Sequence, residues 1–113
     1  MELEVISTAL EDLKDIYRYI ADVLNNPIAA ERIVKKIRQS FSLIASTPFI
    51  GQSAKNKINS DTKFRFLTCG KYLIFYVVEE KRITINRVIY GKRDYIQMLF
   101  KSDFKAEEND NED

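Results

Sequence analysis

Histidine is absent from this 113-residue sequence, and cysteine occurs once, at Cys69. Without these residues the chain has neither the usual ligands of a zinc site nor the Ser-His-Asp and Cys-His arrangements of nucleophilic catalysis. A single cysteine forms no internal disulfide, which fits a reducing compartment. Only three glycines are present, and they form no glycine-rich phosphate loop. The sequence therefore predicts neither a metal site nor a cofactor.

Long apolar runs are missing as well. No stretch approaches the ~20 apolar residues that cross a bilayer, and the N-terminal stretch MELEVIST has acids where a signal peptide needs cations. We therefore expect a cytoplasmic protein. Hydrophobic residues make up 45% of the chain, including seven Phe and six Tyr. This is enough for one domain with a core of its own.

Charge is distributed unevenly along the chain. The segment 101–113, KSDFKAEENDNED, contains six acids and two lysines and has few apolar residues. We expect it to be an acidic, disordered tail that follows a domain of residues 1–100. Residues 51–100 contain ten cations and four acids, whereas residues 1–50 contain six cations and seven acids. The basic half fits an acidic or polyanionic partner, and scattered surface lysines explain the charge equally well.

The first half of the domain predicts a strand and two helices. Residues 2–6 alternate between polar and apolar side chains, as in a half-buried strand. Thr8 and Glu11 have the spacing of a capping box, so a helix is predicted to begin there and to run to about Leu24. Its predicted apolar stripe consists of Leu10, Leu13, Ile16, Tyr17, Ile20 and Leu24. Asn25-Asn26-Pro27 then starts a second helix, which Thr47-Pro48 ends, and this predicts an antiparallel hairpin.

The second half predicts a β-meander. After a polar loop at 49–62, three apolar segments follow at 64–69, 72–78 and 82–90, separated by short turns. The segment 72–78 is apolar on both faces, which predicts a central strand. Asp94 can cap a short last helix. The predicted fold class is α+β, with an N-terminal strand and an antiparallel helical hairpin packed on a small antiparallel sheet, in the order β-α-α-β-β-β-α.

Two arginines interrupt the apolar faces of these strands. With a period of two, Arg65 shares a face with Leu67 and Cys69, and Arg87 shares one with Ile83, Ile85 and Ile89. A charge in such a row is costly unless it is paired. Each arginine therefore either reaches the sheet rim or an acid such as Glu79, or lines a groove with Lys55, Lys57, Tyr90 and Arg93.

A site of arginine, lysine and tyrosine suits the cleavage of RNA without a metal. The 2′-hydroxyl of RNA attacks the neighbouring phosphate, so the protein has only to stabilise the charged intermediate and to move protons. Arginines can clamp the phosphate because the guanidinium is always charged. A tyrosine or lysine base has a reference pKa near 10, and lowering it to ~7 costs about 4 kcal/mol, which neighbouring cations can supply.

The order of the elements and four phrases of the sequence resemble the RelE/ParE toxin superfamily. The phrases are ALEDLKDIYRYIADVLNNPIAAERIVKKI, TPFIG, FRFLTCGKYLIFYVV and ITINRVIYGKRDYIQMLF, and the resemblance covers residues 3–100. It implies the toxin of a bacterial type II toxin–antitoxin pair. It also implies a cognate antitoxin whose disordered segment wraps the toxin and masks its basic face.

The resemblance also implies site residues, which differ between the two branches of the superfamily. One branch cleaves mRNA in the ribosomal A site, and its loop lysines and strand arginines match Lys55, Lys57, Arg65 and Arg87 here. Its late tyrosine falls on Tyr95, or on Tyr90 if the proton acceptor lies on the strand. Lys92 and Arg93 are further candidates for RNA binding. The long helical hairpin and the ending RVIYGKRD are instead more typical of the branch that poisons DNA gyrase.

Three functions follow from these observations. The sequence favours a ribosome-dependent, metal-independent mRNA endonuclease, which has the ribosome and mRNA as partners besides the antitoxin. The second function is that of a DNA gyrase inhibitor without chemistry of its own. The third is that of a non-toxic module that binds nucleic acid or an antitoxin. Fragmented mRNA after induction would indicate the endonuclease, and a DNA-damage response would indicate the gyrase inhibitor. An unharmed host would indicate the non-toxic module.

Overall fold

The chain folds as one strand, a helical hairpin and four further strands. The computed structural model describes residues 2–55, 57, 62–91 and 99. In chain order the elements are β1 (Glu2–Val5), α1 (Ser7–Arg18), a π-helical segment (Tyr19–Val23), α2 (Pro27–Ser46), β2 (Gln52–Ser53), β3 (Arg65–Cys69), β4 (Tyr72–Val78) and β5 (Arg82–Tyr90). The predicted α+β class, the helical hairpin and the meander are confirmed.

The five strands form one mixed sheet in the order β1-β5-β4-β3-β2. The meander β3-β4-β5 is antiparallel, as predicted. β1 lies parallel to β5, with Leu3 opposite Ile83 and Val5 opposite Ile85. The short strand β2 pairs with β3 and forms the edge of the sheet opposite β1. It lies within the segment 49–62, which was predicted to be a loop. The sheet is therefore antiparallel in the meander and mixed as a whole.

The start of α1 differs from the prediction. The helix begins at Ser7 with Ile6 as its N-cap, and no side chain caps it, so the predicted capping box of Thr8 and Glu11 is wrong. The backbone N–H of Ile6 donates to the carbonyl of Ile85 at 3.2 Å. This contact continues the pairing of β1 with β5, so the sheet sets the residue at which the helix begins.

The buried face of α1 is also displaced from the predicted stripe. Ala9 and Leu13 are buried, whereas Leu10 and Tyr17 are 41% and 38% exposed. Residue 12 lies on the buried face as well, and it is an aspartate that is only 9% exposed. A helix packed on a sheet buries positions three and four apart, so a buried Ala9 places Asp12 and Leu13 on the same face.

The junction of the hairpin was predicted correctly. The side chain of Asn26 accepts a hydrogen bond from the backbone N–H of Ala29 at 3.1 Å, and Pro27 opens α2. Before this cap the chain makes a π-helical turn in which the N–H of Leu24 donates to the carbonyl of Tyr19 at 3.0 Å. α2 ends at Ser46, directly before Thr47-Pro48. Within the described residues no helix is long and apolar enough to cross a membrane.

The sheet has an apolar cluster on each face. The helix-facing cluster includes Ile37, Ile44, Ile74, Tyr76 and Ile85. The opposite cluster includes Phe64, Phe66, Leu73, Phe75, Ile89 and Leu99. Because β4 contributes alternate residues to both clusters, its predicted central position is confirmed. Leu99 is buried; the rest of the predicted last helix and the tail 101–113 lie outside the described residues.

Tyr76 fixes the loop that follows α2. Its side chain is fully buried. Its hydroxyl donates to the carbonyl of Pro48 at 2.9 Å and accepts from the N–H of Gly51 at 2.9 Å. A Cβ on residue 51 would lie 2.5 Å from the carbonyl oxygen of Phe66 and 2.6 Å from the Tyr76 hydroxyl, so only glycine fits there. The loop is therefore held by the sheet beneath it.

We expect Tyr76→Phe to lower the free energy of unfolding by about 1–3 kcal/mol, because it leaves a buried N–H and a carbonyl without their partner. Urea denaturation measures this change. Tyr72→Phe is the matched control, since the structure shows no hydrogen bond of that hydroxyl with any described residue. An unfolding midpoint that Tyr76→Phe leaves unchanged would contradict this role of the hydroxyl.

Candidate functional site

Arg87 is bound to a carboxylate from α1. The register of β5 against β4 shifts beside it, since Phe75 pairs with Arg87 and Tyr76 pairs with Ile85. Arg87 donates to Asp12 from Nε to Oδ2 at 2.8 Å and from Nη2 to Oδ1 at 2.9 Å. The two side chains are only 12% and 11% exposed. Arg87 therefore has an acidic partner, which is Asp12 and was not foreseen from the sequence.

Asp12 also binds the backbone of β5. Its Oδ2 accepts a hydrogen bond from the N–H of Val88 at 2.8 Å. One carboxylate thus receives three donors from the strand where its register shifts. Removing two charges from water is costly and is offset only when charge and hydrogen bonds are both satisfied. Asp12 and Arg87 therefore depend on each other for a stable buried position.

The bulge in β5 changes which residues share a face. Ile83 and Ile85 belong to the cluster beneath the helices, whereas Ile89 belongs to the cluster on the opposite face. The predicted single row of Ile83, Ile85, Arg87 and Ile89 is therefore wrong. One inserted residue reverses the alternation of side chains, and β-bulges do this without an obvious mark in the sequence.

Arg65 is bound to the loop that Tyr76 holds. Its Nη2 donates to the carbonyls of Gly51 and Phe49, the second at 3.4 Å. Its guanidinium lies over the ring of Phe49, 5.0 Å from the centroid. Arg65 is opposite Tyr76 in the register of β3 and β4, so it lies on the helix-facing side of the sheet. The second strand arginine is thus also committed to contacts inside the chain.

The loop lysines lie elsewhere. Nζ of Lys57 is 5.1 Å from the centroid of the Phe66 ring, and Phe66 belongs to the cluster on the face away from the helices. Lys55 is exposed, and its backbone N–H donates to the hydroxyl of Ser53. Lys57 and the two arginines are therefore on opposite faces of the sheet.

Tyr90 lies at the far end of the meander from Arg65. It pairs with Tyr72, whereas Arg65 pairs with Tyr76, and four strand residues correspond to about 13 Å. The rings of Tyr72 and Tyr90 are in edge contact with centroids 5.7 Å apart. Both line a cavity of about 1030 Å³ between the sheet and the hairpin. Tyr90 is therefore grouped with other phenols, and it is not among the contacts of the loop lysines Lys55 and Lys57.

The environment of Tyr72 opposes the ionisation of its phenol. Burial, and then the neighbouring Tyr90 and Tyr19, raise the pKa of Tyr72 above its usual value. A general base needs a pKa lowered toward neutrality, so this environment does not favour a phenolate at Tyr72. Tyr95, Lys92 and Arg93 lie outside the described residues. Within the described ranges, Arg65 and Arg87 lie on either side of β4, opposite Tyr76 and Phe75, whereas Lys57 is on the other face of the sheet and Tyr90 is opposite Tyr72. Their catalytic roles stay a prediction.

Comparisons with known proteins agree with this fold. The family model described as ParE toxin of type II toxin-antitoxin system, parDE, matches residues 3–95. The chain belongs to the ParE toxin family. The predicted resemblance to the RelE/ParE superfamily is thereby confirmed. Among curated proteins, none matches the chain significantly.

A solved structure has the same fold as this ParE-family chain. It is described as the chromosomal ParDE TA system from P. aeruginosa, and it superposes with a TM-score of 0.69 at 23% sequence identity. The match covers 81% of this chain and 97% of that one. At this level of identity the similarity shows a shared fold. The family match identifies the chain as the toxin of a type II toxin–antitoxin system.

The residues that organise this ParE-family toxin were partly visible in the sequence. Asp12 is three residues after Ala9 and one before Leu13, so a stripe that began at Ala9 would have placed a carboxylate on the buried face. Arg87 was recognised as a charge in an apolar row, and such a charge needs a partner. Nothing in the sequence pointed to the contact of Tyr76 with the loop, because a tyrosine in a central strand is ordinary core.

We expect Arg87→Ala and Asp12→Ala each to lower the free energy of unfolding by about 3–5 kcal/mol, since each leaves its partner charged and buried. Arg82→Ala provides a matched control on the same strand. Its pair with Glu4 has a similar distance of 2.9 Å, but both side chains are 52% exposed. Its loss should cost at most about 1 kcal/mol. Equal losses in urea denaturation for Arg87→Ala and Arg82→Ala would show that burial does not strengthen the Asp12 contact.

Proposed function

We propose that this toxin arrests growth by poisoning DNA gyrase, without nuclease chemistry of its own, and that a cognate antitoxin neutralises it. The observation that supports this proposal best is the binding of Arg87 by Asp12. A nuclease of this superfamily needs its strand arginines to face a scissile phosphate. Here one edge of the Arg87 guanidinium, Nε with Nη2, donates to a buried carboxylate.

The energetic cost of freeing these arginines supports the same proposal. If Arg87 turned toward a phosphate, Asp12 would remain buried without its cation, and breaking such a pair costs about 3–5 kcal/mol. If Arg65 turned away, the carbonyls of Phe49 and Gly51 would lose their donor. A phosphate clamp built from these residues would therefore destabilise the folded chain.

The sequence features that resemble the gyrase-directed branch agree with this choice. They are the long hairpin of α1 and α2 and the ending RVIYGKRD, and the family that matches the chain is that of the ParE toxins. A ribosome-dependent endonuclease is the alternative function, in which Lys55 and Lys57 bind RNA and a tyrosine moves the proton. Both lysines are exposed, which is what such binding needs.

Charge supports an acidic antitoxin segment as the second partner. Residues 1–100 carry a net charge of +5, because the total charge is +1 and the tail 101–113 contains six acids and two lysines. A partner segment rich in Asp and Glu would be steered toward this surface and would be held less strongly as salt increases. The same basic surface also fits the polyanionic alternatives, so only the target assay separates the functions.

We expect the purified chain to inhibit DNA supercoiling by gyrase and to increase the amount of gyrase-cleaved linear DNA. After induction in a bacterial host, cells should form filaments and mount a DNA-damage response while their mRNA stays intact. The same chain mixed beforehand with its antitoxin is the control. Intact supercoiling activity together with mRNA cut in the ribosomal A site would establish the endonuclease in place of this proposal. A host unharmed by the free chain would establish the non-toxic binding module.

A further inference from the structure

The loop between α2 and β2 presents apolar side chains to solvent. Phe49 is 66% exposed and Ile50 is 39% exposed, and they are neighbours in the chain. We refer to this pair as the Phe49–Ile50 tip. A single exposed apolar residue is ordinary, but adjacent large apolar side chains on a loop are a common feature of binding surfaces. The tip is separate from the Tyr72–Tyr90 cavity at the other end of the meander.

The tip is held in one conformation by the core. On either side of it, the carbonyl of Pro48 and the N–H of Gly51 bind the buried Tyr76 hydroxyl. Arg65 binds the carbonyls of Phe49 and Gly51 from below. The Ile50 N–H donates to the carbonyl of Thr47 at 3.0 Å, which closes the turn. A surface that is ordered before binding loses less conformational entropy when a partner binds, and this raises affinity.

Positive charge lies beside the tip. Ser53 of β2 pairs with Arg65, and the exposed Lys55 follows Ser53 by two residues. Arg65 lies directly under the Phe49 ring. An apolar anchor beside cations fits a partner that has an apolar pocket with carboxylates around it, because charge complementarity steers association and suppresses wrong partners.

We propose that the Phe49–Ile50 tip is the surface by which the toxin grips its target protein, and that it enters an apolar pocket with an acidic rim on that protein. The identity of this target as gyrase rests on the proposed function. A protein pocket suits the tip better than a nucleic acid does. Ile50 is branched and not planar, whereas bases stack on flat aromatic or guanidinium groups, and one face of the Phe49 ring is already next to Arg65.

The test compares three substitutions in the full chain. Ile50→Ser removes the aliphatic anchor side chain, and Phe49→Ser removes the ring that lies over Arg65. Ile28→Ser is the matched control, because Ile28 is 78% exposed and lies at the other end of α2, about 27 Å along the helix axis. Growth arrest, gyrase inhibition, antitoxin binding and thermal unfolding are measured for each.

We expect the concentration of Ile50→Ser or Phe49→Ser that gives half-maximal gyrase inhibition to be about tenfold or more above that of the wild-type chain. A change of this size is typical for the loss of a hot-spot side chain. Growth arrest should weaken in parallel. Antitoxin binding should stay within about twofold of wild type, and the melting temperature within a few degrees, so that loss of folding is not the cause. Ile28→Ser should behave as wild type.

Other results of this test distinguish a failure of the inference from a failure of the proposed function. Full growth arrest by Ile50→Ser and Phe49→Ser overturns the inference and leaves the proposed function in place. A wild-type chain that arrests growth without inhibiting gyrase overturns the proposed target. In that case the strength of growth arrest by Ile50→Ser and Phe49→Ser still shows whether the tip is needed for toxicity. If the two variants instead lose binding to an RNA oligonucleotide in proportion to their loss of toxicity, the occupant is a nucleic acid and the inference is wrong. A wild-type chain that arrests no growth overturns both.

Discussion

The contact of Asp12 with β5 connects parts of the fold that are distant in the chain. It joins the first helix to a strand 75 residues later in the chain, through two donors of Arg87 and the backbone N–H of Val88. It also lies where the register of β5 shifts against β4. A buried carboxylate is stable there only while its donors stay in place. The pair thus holds the helical hairpin on the sheet.

Arg65 plays a comparable part on the other side of β4, where it pairs with Tyr76 while Arg87 pairs with the adjacent Phe75. Together with the buried Tyr76 hydroxyl it binds the backbone of the loop after α2. Two of the residues that suggested phosphate chemistry, Arg65 and Arg87, thus make contacts inside the chain that hold elements of the fold together.

Local patterns determined most of the fold, whereas long-range contacts determined the site. β4 and β5 have the predicted bounds because short polar turns separate continuous apolar segments, and α2 lies between a cap at Asn26 and a stop at Thr47-Pro48. The bulge in β5 could not be predicted from the sequence. An inserted residue leaves the composition of the strand much the same, yet it moves every later side chain to the other face of the sheet. The partner of Arg87 was missed for a related reason, because the stripe of α1 was counted from Leu10 and left Asp12 on the exposed side.

The proposed function requires that Arg87 serves the fold and performs no chemistry. The most direct test is the double variant Asp12→Leu with Arg87→Met, which replaces the ion pair by apolar side chains, a change that buried pairs often tolerate. Growth arrest is measured after stability and antitoxin binding have shown that the variant is folded. We predict that the folded double variant still arrests growth as strongly as the wild-type chain. A folded, antitoxin-binding double variant that has lost all toxicity would contradict the account, because the guanidinium itself would then be required for the toxic activity.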